Sequence, residues 1–275
     1  MILLGKSLYY KVLKPLNELK INNLFAVSVV NGNVEGKIYV DNEDNPLSFH
    51  IVHPYGMSLL FGETDNESFN RSIFDYSLNN NEMRNGDEWM QVYPNRWSLV
   101  LSDMWGQNRI KHGSCEYEKD KIIEHQRVNF KFNIEIYEAF KKRSIVDKFE
   151  IVLTDKDMYE NFKGSVVPHH FWNSPEEFIE KSIGFTLKYE SKNVAIAFAS
   201  FIIDKKLELG METIPECRGK GFALYTCAAL IDYCLGNGYE PVWSCRDSNE
   251  PSLRLALKMG FEPELYIPYY KLCSY

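Results

Sequence analysis

Apolar and polar positions along this chain switch between a helical and a two-residue period, and the switches mark its elements. Residues 1–22 hold a helical pattern with interspersed lysines, closed by Asn22-Asn23. Apolar runs then follow at Leu24–Val30, Glu35–Val40, Leu47–Val52 and Met57–Phe61 and read as short strands. Asn31-Gly32 and Asn42–Asn45 supply turn chemistry between them. Phe69–Leu78 returns to helical spacing, with Phe69, Ile73 and Tyr76 along it and Asn79–Asn81 as a stop. Trp89–Tyr93 reads as extended, Trp97–Trp105 as a helix ended by Gly106, Val128–Phe132 as a strand, and Ile134–Lys142 as a helix with a basic end.

In the second half, Lys148–Leu153 reads as a strand and Asp155–Phe162 as a short helix stopped by Lys163-Gly164. Ser174-Pro175-Glu176-Glu177 is a helix start: serine suits the N-cap, proline the first turn, and Glu177 completes a capping box. Phe185–Tyr189, Val194–Ile203 and Leu207–Ile214 predict consecutive antiparallel strands. The helix Gly221–Leu235 is apolar on most faces and therefore needs cover from a sheet. Pro241–Arg246 should be a strand parallel to Leu207–Ile214 across that helical crossover. Pro251–Met259 is a second helix closed by Gly260. Leu265–Leu272 is a last strand, with Pro268 marking an edge or bulge. The first half repeats the order strands, helix, strand, helix, strand. That order predicts two α/β domains, residues 1–145 and 146–275, with the first a candidate degenerate copy of the second. The boundary falls between Phe140 and Asp155.

Composition changes this picture little. The 275 residues are 45% hydrophobic and 25% charged, an ordinary globular balance. A net charge of −7 argues against general binding to nucleic acid or an anionic membrane, while leaving room for a local basic site. No apolar run approaches the roughly 18 residues of a membrane span, and Met1–Leu4 is too short for a signal peptide. None of the six cysteines forms C-x-x-C, which predicts reduced thiols and a cytoplasmic protein. Cys227 and Cys234 share one helix face and read as core residues. No metal site is expected: His50 and His53 lack a completing ligand set, and His169 and His170, read as extended, point to opposite sides. Of Trp89, Trp97 and Trp105, core packing is the favoured reading over a ligand box.

The chemistry concentrates in Glu208–Ala223, ELGMETIPECRGKGFA. An extended run breaks at Pro215 and a basic glycine turn, Arg218-Gly219-Lys220-Gly221-Phe222-Ala223, opens a helix. A helix start presents unpartnered N–H groups and partial positive charge, glycine admits an anion close to the backbone, and Arg218 and Lys220 add full charges. The turn therefore predicts a phosphate or pyrophosphate site. Neither G-x-x-x-x-G-K-[ST] nor G-x-G-x-x-G is present.

Arg218, Gly221 and Ala223 fill [QR]-x-x-G-x-[GA], and a second motif follows at Asn249, Ser252, Leu255 and Gly260-Phe261. Together they resemble the acetyl-CoA signature of the GNAT N-acetyltransferase superfamily. The C-terminal half is similar in wording to the branch that includes zwittermicin-type antibiotic resistance proteins. The resemblance implies a GNAT fold, with a mixed antiparallel and parallel sheet flanked by helices and two parallel strands splayed around acetyl-CoA. It implies that pyrophosphate lies on the backbone of Arg218, Gly219, Lys220, Gly221, Phe222 and Ala223. A strand N–H at Thr213, next to Ile214, would polarise the thioester, and Asn249 and Ser252 would serve the pantetheine arm. No phosphate-turn match stands between Phe61 and Phe69, so a first-half copy is not expected to bind CoA.

Strand alternation puts Glu208, Gly210 and Glu212 on one face, read as open, and Leu207, Leu209, Met211 and Thr213 on the core face. Glu212 is the first candidate general base and Glu208 the second. Many relatives carry a tyrosine acid where this chain has Ala256; Cys245 or Tyr269 would be substitutes. The expected partner is a small-molecule amine, such as an amino-sugar or aminopolyol antibiotic, with a homodimer left open. The competing reading is a non-catalytic acetyl-CoA-binding sensor or scaffold.

Overall fold

The structure is a computed structural model that describes residues 1–114, 121–144 and 149–274. In chain order its elements are β1 (Ile2–Leu3), α1 (Tyr10–Asn17), α2 (Leu24–Val30), β2 (Lys37–Val40), β3 (Ser48–His53), β4 (Met57–Gly62), α3 (Glu67–Ser77), β5 (Glu88–Tyr93), α4 (Arg96–Trp105), β6 (Arg109–Lys111) and β7 (Ile122–Phe132). There follow α5 (Ile134–Ser144), β8 (Glu150–Leu153), α6 (Lys156–Asn161), α7 (Pro175–Lys181), β9 (Gly184–Tyr189), β10 (Lys192–Ile203), β11 (Lys206–Thr213), α8 (Phe222–Gly236), β12 (Glu240–Val242), β13 (Ser244–Arg246), α9 (Glu250–Lys258) and β14 (Phe261–Leu272). The chain forms two compact units, one of Met1–Asn129, Cys245–Asn249 and Leu265–Tyr275, the other of Phe130–Ser244 and Glu250–Glu264.

This division is not the linear one drawn from sequence. A boundary at 145/146 lies outside the described residues, and the first unit also takes in Cys245–Asn249 and the C-terminal strand end. Sheet pairing is the physical reason. The end of β14 pairs antiparallel with β5, Tyr269 opposite Gln91 through Leu272 opposite Glu88, and this pairing begins just after Pro268, which has no N–H to donate.

In the first unit the strands run β1-β2-β3-β4-β5, then the end of β14, then β7 and β13. β2, β3 and β4 form an antiparallel meander, and β5 lies parallel to β4 across the α3 crossover. Phe69, Ile73, Trp97, Trp105, Met90, Val92, Tyr270 and Leu272 form one buried cluster under α3 and α4. Each large side chain removed from water contributes about 1.5–3 kcal/mol before entropic costs. Trp97 and Trp105 are thus core residues, whereas Trp89 is only half-buried.

Leu24–Val30, expected as a strand, is the helix α2, buried at every position and packed on β3 and β4. A seven-residue run without alternation carries no period to separate a buried strand from a buried helix.

The second unit holds the sheet β12-β11-β10-β9-β8. β9, β10 and β11 are the expected meander, β12 is parallel to β11, and α8 packs on β9, β10 and β11. Ser174 caps α7 by accepting from the Glu177 N–H; the Glu177 carboxylate reaches back to Asn173, one residue short of a reciprocal box. Asp155 caps α6 in the same way. Such caps are each worth about 1 kcal/mol. Cys227 and Cys234 are fully buried in α8, and burial raises both thiols. His169 and His170 lie in a 3-10 turn, not an extended segment, and their rings touch at 4.6 Å instead of pointing apart.

Candidate active site

β12 pairs with β11 in three rows only, Lys206 with Glu240, Leu207 with Pro241, and Glu208 with Val242. At Trp243 the chain leaves: its carbonyl accepts from the Phe130 N–H, and its ring packs on Phe261 at 5.2 Å. The expected single strand Pro241–Arg246 is therefore two, β12 and β13, in different sheets. Among the described residues, no strand pairs with this edge of β11 from Leu209 to Thr213. The Ile214 N–H donates to Val194 of β10. By alternation the Thr213 N–H points to the open edge.

The turn after β11 is exposed from Arg218 to Gly221. Gly219 has φ 77° and Gly221 φ 83°, the left-handed region where a side chain is strained. A Cβ at either position would meet nothing within 4 Å, so the space over the turn is open. Gly221 is the N-cap of the 15-residue helix α8 and supplies no side-chain cap. Among the described residues, no acceptor takes the N–H of Gly219, Lys220, Gly221, Phe222 or Ala223. Phe222 anchors the helix start from below, buried with Leu187, Val194, Ala195 and Cys217, with Ile214 packed against the same cluster. The side chains of Phe222 and Ile214 thus serve the core, and only their backbone can meet a ligand.

Glu212 lies beyond the last paired row of β11, whereas Glu208 lies within it. Both carboxylates are buried, 8% and 6% exposed, so the face read as open is covered. A loop covers Glu212: Gly164 sits so close that a Cβ would meet its side chain at 2.3 Å. Gly210, between them, lies under the Phe198 ring. Glu212 Oε2 accepts from the Ser165 N–H at 2.9 Å, the Ser165 hydroxyl at 3.2 Å and the Val166 N–H at 3.2 Å. Its Oε1 accepts from the Thr213 N–H at 3.2 Å and from Arg218 at 3.1 Å. Arg218 also donates from Nε to the Thr213 carbonyl at 3.0 Å. One carboxylate thereby ties the loop, the strand end and the basic turn together.

The remaining predicted residues divide. Ser252 lies in this unit and accepts from the Trp243 indole N–H at 3.2 Å. Asn249 belongs to the other unit, where its N–H donates to the Arg246 carbonyl. Ala256 is completely buried and Tyr269 nearly so, its ring stacked on Trp89 at 5.2 Å; Cys245 is buried as well. Sequence reasoning missed the loop Gly164–Val166; it allowed for one of His169 and His170 beside a substrate cleft, and His170 Nδ1 lies 3.2 Å from the Ser165 carbonyl. Burial lowers the His170 imidazole from its ordinary value. The glycine beside a helix end was the one signal for that loop, and it read only as a stop. Among the described residues no group of three or more His, Cys, Asp or Glu side chains is placed to hold a metal, and no helix is long and apolar enough to cross a membrane.

The profile of the GNAT acetyltransferase family matches residues 15–270. The chain is 25% identical over 258 residues to the uncharacterized N-acetyltransferase YdfB of Bacillus subtilis, covering 92% of each protein. A GCN5-related N-acetyltransferase-like protein from Streptococcus suis superposes with a TM-score of 0.72 at 20% identity, over 97% of this chain and 99% of that one. A tandem GNAT protein from the clavulanic acid biosynthesis pathway gives a TM-score of 0.62 at 8% identity, over 98% and 97%. These two structural likenesses speak to the fold.

Proposed function

Because the chain belongs to the GNAT acetyltransferase family, and so is an acyltransferase, we propose that it moves the acetyl group of acetyl-CoA to a primary amine of a small molecule by direct attack. The observation that carries this reading is the open N-terminus of α8, with left-handed Gly219 and Gly221 under empty space and Arg218 and Lys220 beside it. Backbone N–H groups without acceptors at a helix start suit a pyrophosphate.

In the step, the amine nitrogen forms a bond to the thioester carbonyl carbon, the carbon–sulfur bond breaks, and CoA thiolate leaves. The amine loses one proton and the thiolate gains one. The Thr213 N–H, on the open edge of β11, is the proposed donor to the carbonyl oxygen, an effect worth about 3 kcal/mol of barrier. Glu212 Oε1 must first release that N–H. The five hydrogen bonds to Glu212 support a holding role, since they occupy both carboxylate oxygens that a base would have to offer to the amine. Glu212 acting as the base, with Glu208 second, is the alternative assignment. With Ala256 buried at the usual acid position, the thiolate takes its proton from water. Ser252, in the same unit as the basic turn, is the proposed contact to the pantetheine arm. Amino-sugars and aminopolyols are the acceptors to try first, and use of acetyl-CoA fits a cytoplasmic enzyme.

Two measurements test this. Acetyl-CoA at a hundred times its Kd should stabilise the protein by about 2.7 kcal/mol, read as a rise in Tm. A panel of amines should then release CoA with at least one member. No thermal shift at millimolar acetyl-CoA overturns the proposal.

A further inference from the structure

A second cluster of chemistry-bearing side chains lies wholly within the first unit, on the sheet face opposite its buried core. Met90 and Val92 of β5, and Tyr270 and Leu272 of β14, point into that core. Their neighbours Trp89, Gln91, Tyr269 and Lys271 therefore share the other face. There the Trp89 ring stacks on Tyr269 at 5.2 Å and packs on His125 at 5.2 Å. The Arg246 guanidinium lies over the Trp89 ring, 4.4 Å from its centroid, and Arg127 lies over Tyr269 at 5.6 Å. In a chain of net charge −7 this is a local concentration of cations.

The carboxylates near it are engaged. Asp87 pairs with Lys271 at 2.9 Å, and Asp247 Oδ1 accepts from the Gln126 and Ser248 N–H groups. Among the described residues the Arg246 guanidinium donates no hydrogen bond and makes no ion pair; it lies over the indole ring. A guanidinium over an aromatic ring satisfies its charge without using its N–H donors, which leaves the fork available. A second observation is independent of Arg246. Gln91, directly opposite Tyr269, is fully buried, and neither end of its amide has a hydrogen-bond partner. Buried polar atoms of that kind ask for a ligand or an ordered water. The field is positive enough to act on a neighbour: burial first, then His112, Arg246 and Lys271, push the His125 imidazole down to about 4 against the opposing pull of Asp247.

We infer that the first unit carries a binding site for a small organic carboxylate with a planar apolar body, its carboxylate on the Arg246 fork and its body along the partly exposed Trp89 ring, which the buried Tyr269 backs. Planar carboxylate oxygens match the fork in pairs, which a cation or a neutral amide does not. The site shares no residue with the basic turn or Glu212 but borders Asn249, whose N–H the Arg246 carbonyl accepts, so the Gly221→Glu arm of the test below separates it from the acetyl-transfer reading. Its anion chemistry has one competing source, the phosphates of CoA.

The experiment is a tryptophan-fluorescence titration of the full-length protein with sodium benzoate, with benzylamine as the cationic counterpart and CoA as competitor. Benzoate should quench saturably in the millimolar range and benzylamine should not. Arg246→Gln should weaken benzoate on the order of tenfold, and Gly221→Glu should leave it unchanged. Arg246→Lys keeps the charge without the fork and should also bind more weakly; it serves if Arg246→Gln does not fold. Non-saturable quenching, equal binding of benzylamine, or normal benzoate binding by a folded Arg246→Lys or Arg246→Gln protein overturns the site. Displacement of benzoate by CoA, with Gly221→Glu losing both, overturns it too and returns Arg246 to the CoA site.

Discussion

The two units run the same sequence of elements to different ends. Each has an antiparallel meander, a helix, and a strand that returns parallel to the last strand of the meander. In the first unit β4 and β5 stay paired through five rows, from Met57 opposite Trp89 to Phe61 opposite Tyr93. In the second, β11 and β12 part after three. The helix starts differ as well. Asn66 caps α3 by accepting from the Phe69 N–H, with Glu67 in its first turn and Asp65 just before it. Its strand-end Gly62 is boxed in, since a Cβ there would meet the Leu47 carbonyl at 2.1 Å. The α8 start has no side-chain cap, two cations and open space. One topology therefore makes a closed, self-capped helix start in one place and an open, basic one, the proposed anion cradle, in the other. The difference lies in a few residues at the strand-to-helix turn.

The strongest way to break this comparison is Gly221→Glu. It puts a negative charge over the cradle and should abolish the acetyl-CoA-induced rise in Tm. Gly221→Ala carries only the strain of a side chain at positive φ, about 1–2 kcal/mol, and should retain part of the shift. Normal acetyl-CoA binding by a folded Gly221→Glu protein would remove the turn as the anion site.

Next in size is the first unit's own buried polar group. Glu88, 4% exposed, accepts from Ser58 and Tyr76, each at 2.5 Å, and His50 Nε2 lies 3.6 Å away. Burial alone would raise its carboxyl, but His50 and the two hydroxyls outweigh burial and hold it below the ordinary value. A depressed carboxyl adds stability that is present above its unfolded pKa of about 4.3 and is lost as pH falls through the folded value. Glu88→Gln should cost about 3 kcal/mol at neutral pH and flatten the acid limb of a denaturant-unfolding series. An unchanged acid limb would mean that the carboxylate is not linked to folding there. Acetyl-CoA affinity should not move, because the group serves the unit without the cradle.

A smaller effect sharpens the role of Glu212. As the tie between loop, strand and turn, its Glu212→Gln variant should lower kcat/KM by about tenfold to a hundredfold, raise the KM for acetyl-CoA and leave the shape of the pH–rate profile intact. A base would instead give a loss in kcat of about 10²–10⁴ that shrinks at high pH, with the KM for acetyl-CoA unmoved. The smallest effect belongs to Asn66→Ala, which removes the α3 cap for about 1 kcal/mol. It should lower Tm by a few degrees without touching acetyl-CoA binding; a change in that binding would contradict the separation of the two helix starts.

Much of this was legible in the sequence, and the reasons are local. The meander Phe185–Ile214, the cap Ser174, and the glycine turn at 218–223 depend on period, turn chemistry and charge within a few neighbours. Leu24–Val30 was misread because a short, wholly apolar run has no period, and only the packing around it decides between helix and strand. Tertiary structure alone decided the departure of Trp243 from β12, because the backbone partner that draws it away, Phe130, is more than a hundred residues distant. It alone also set Glu212 among five donors: Ser165 and Val166 come from a loop some 46 residues upstream, and no spacing rule joins such a loop to a strand carboxylate. The basic glycine turn proposed as the anion site is thus written in six consecutive residues, while the open strand edge and the tethered carboxylate depend on hydrogen bonds from backbone groups far away in sequence.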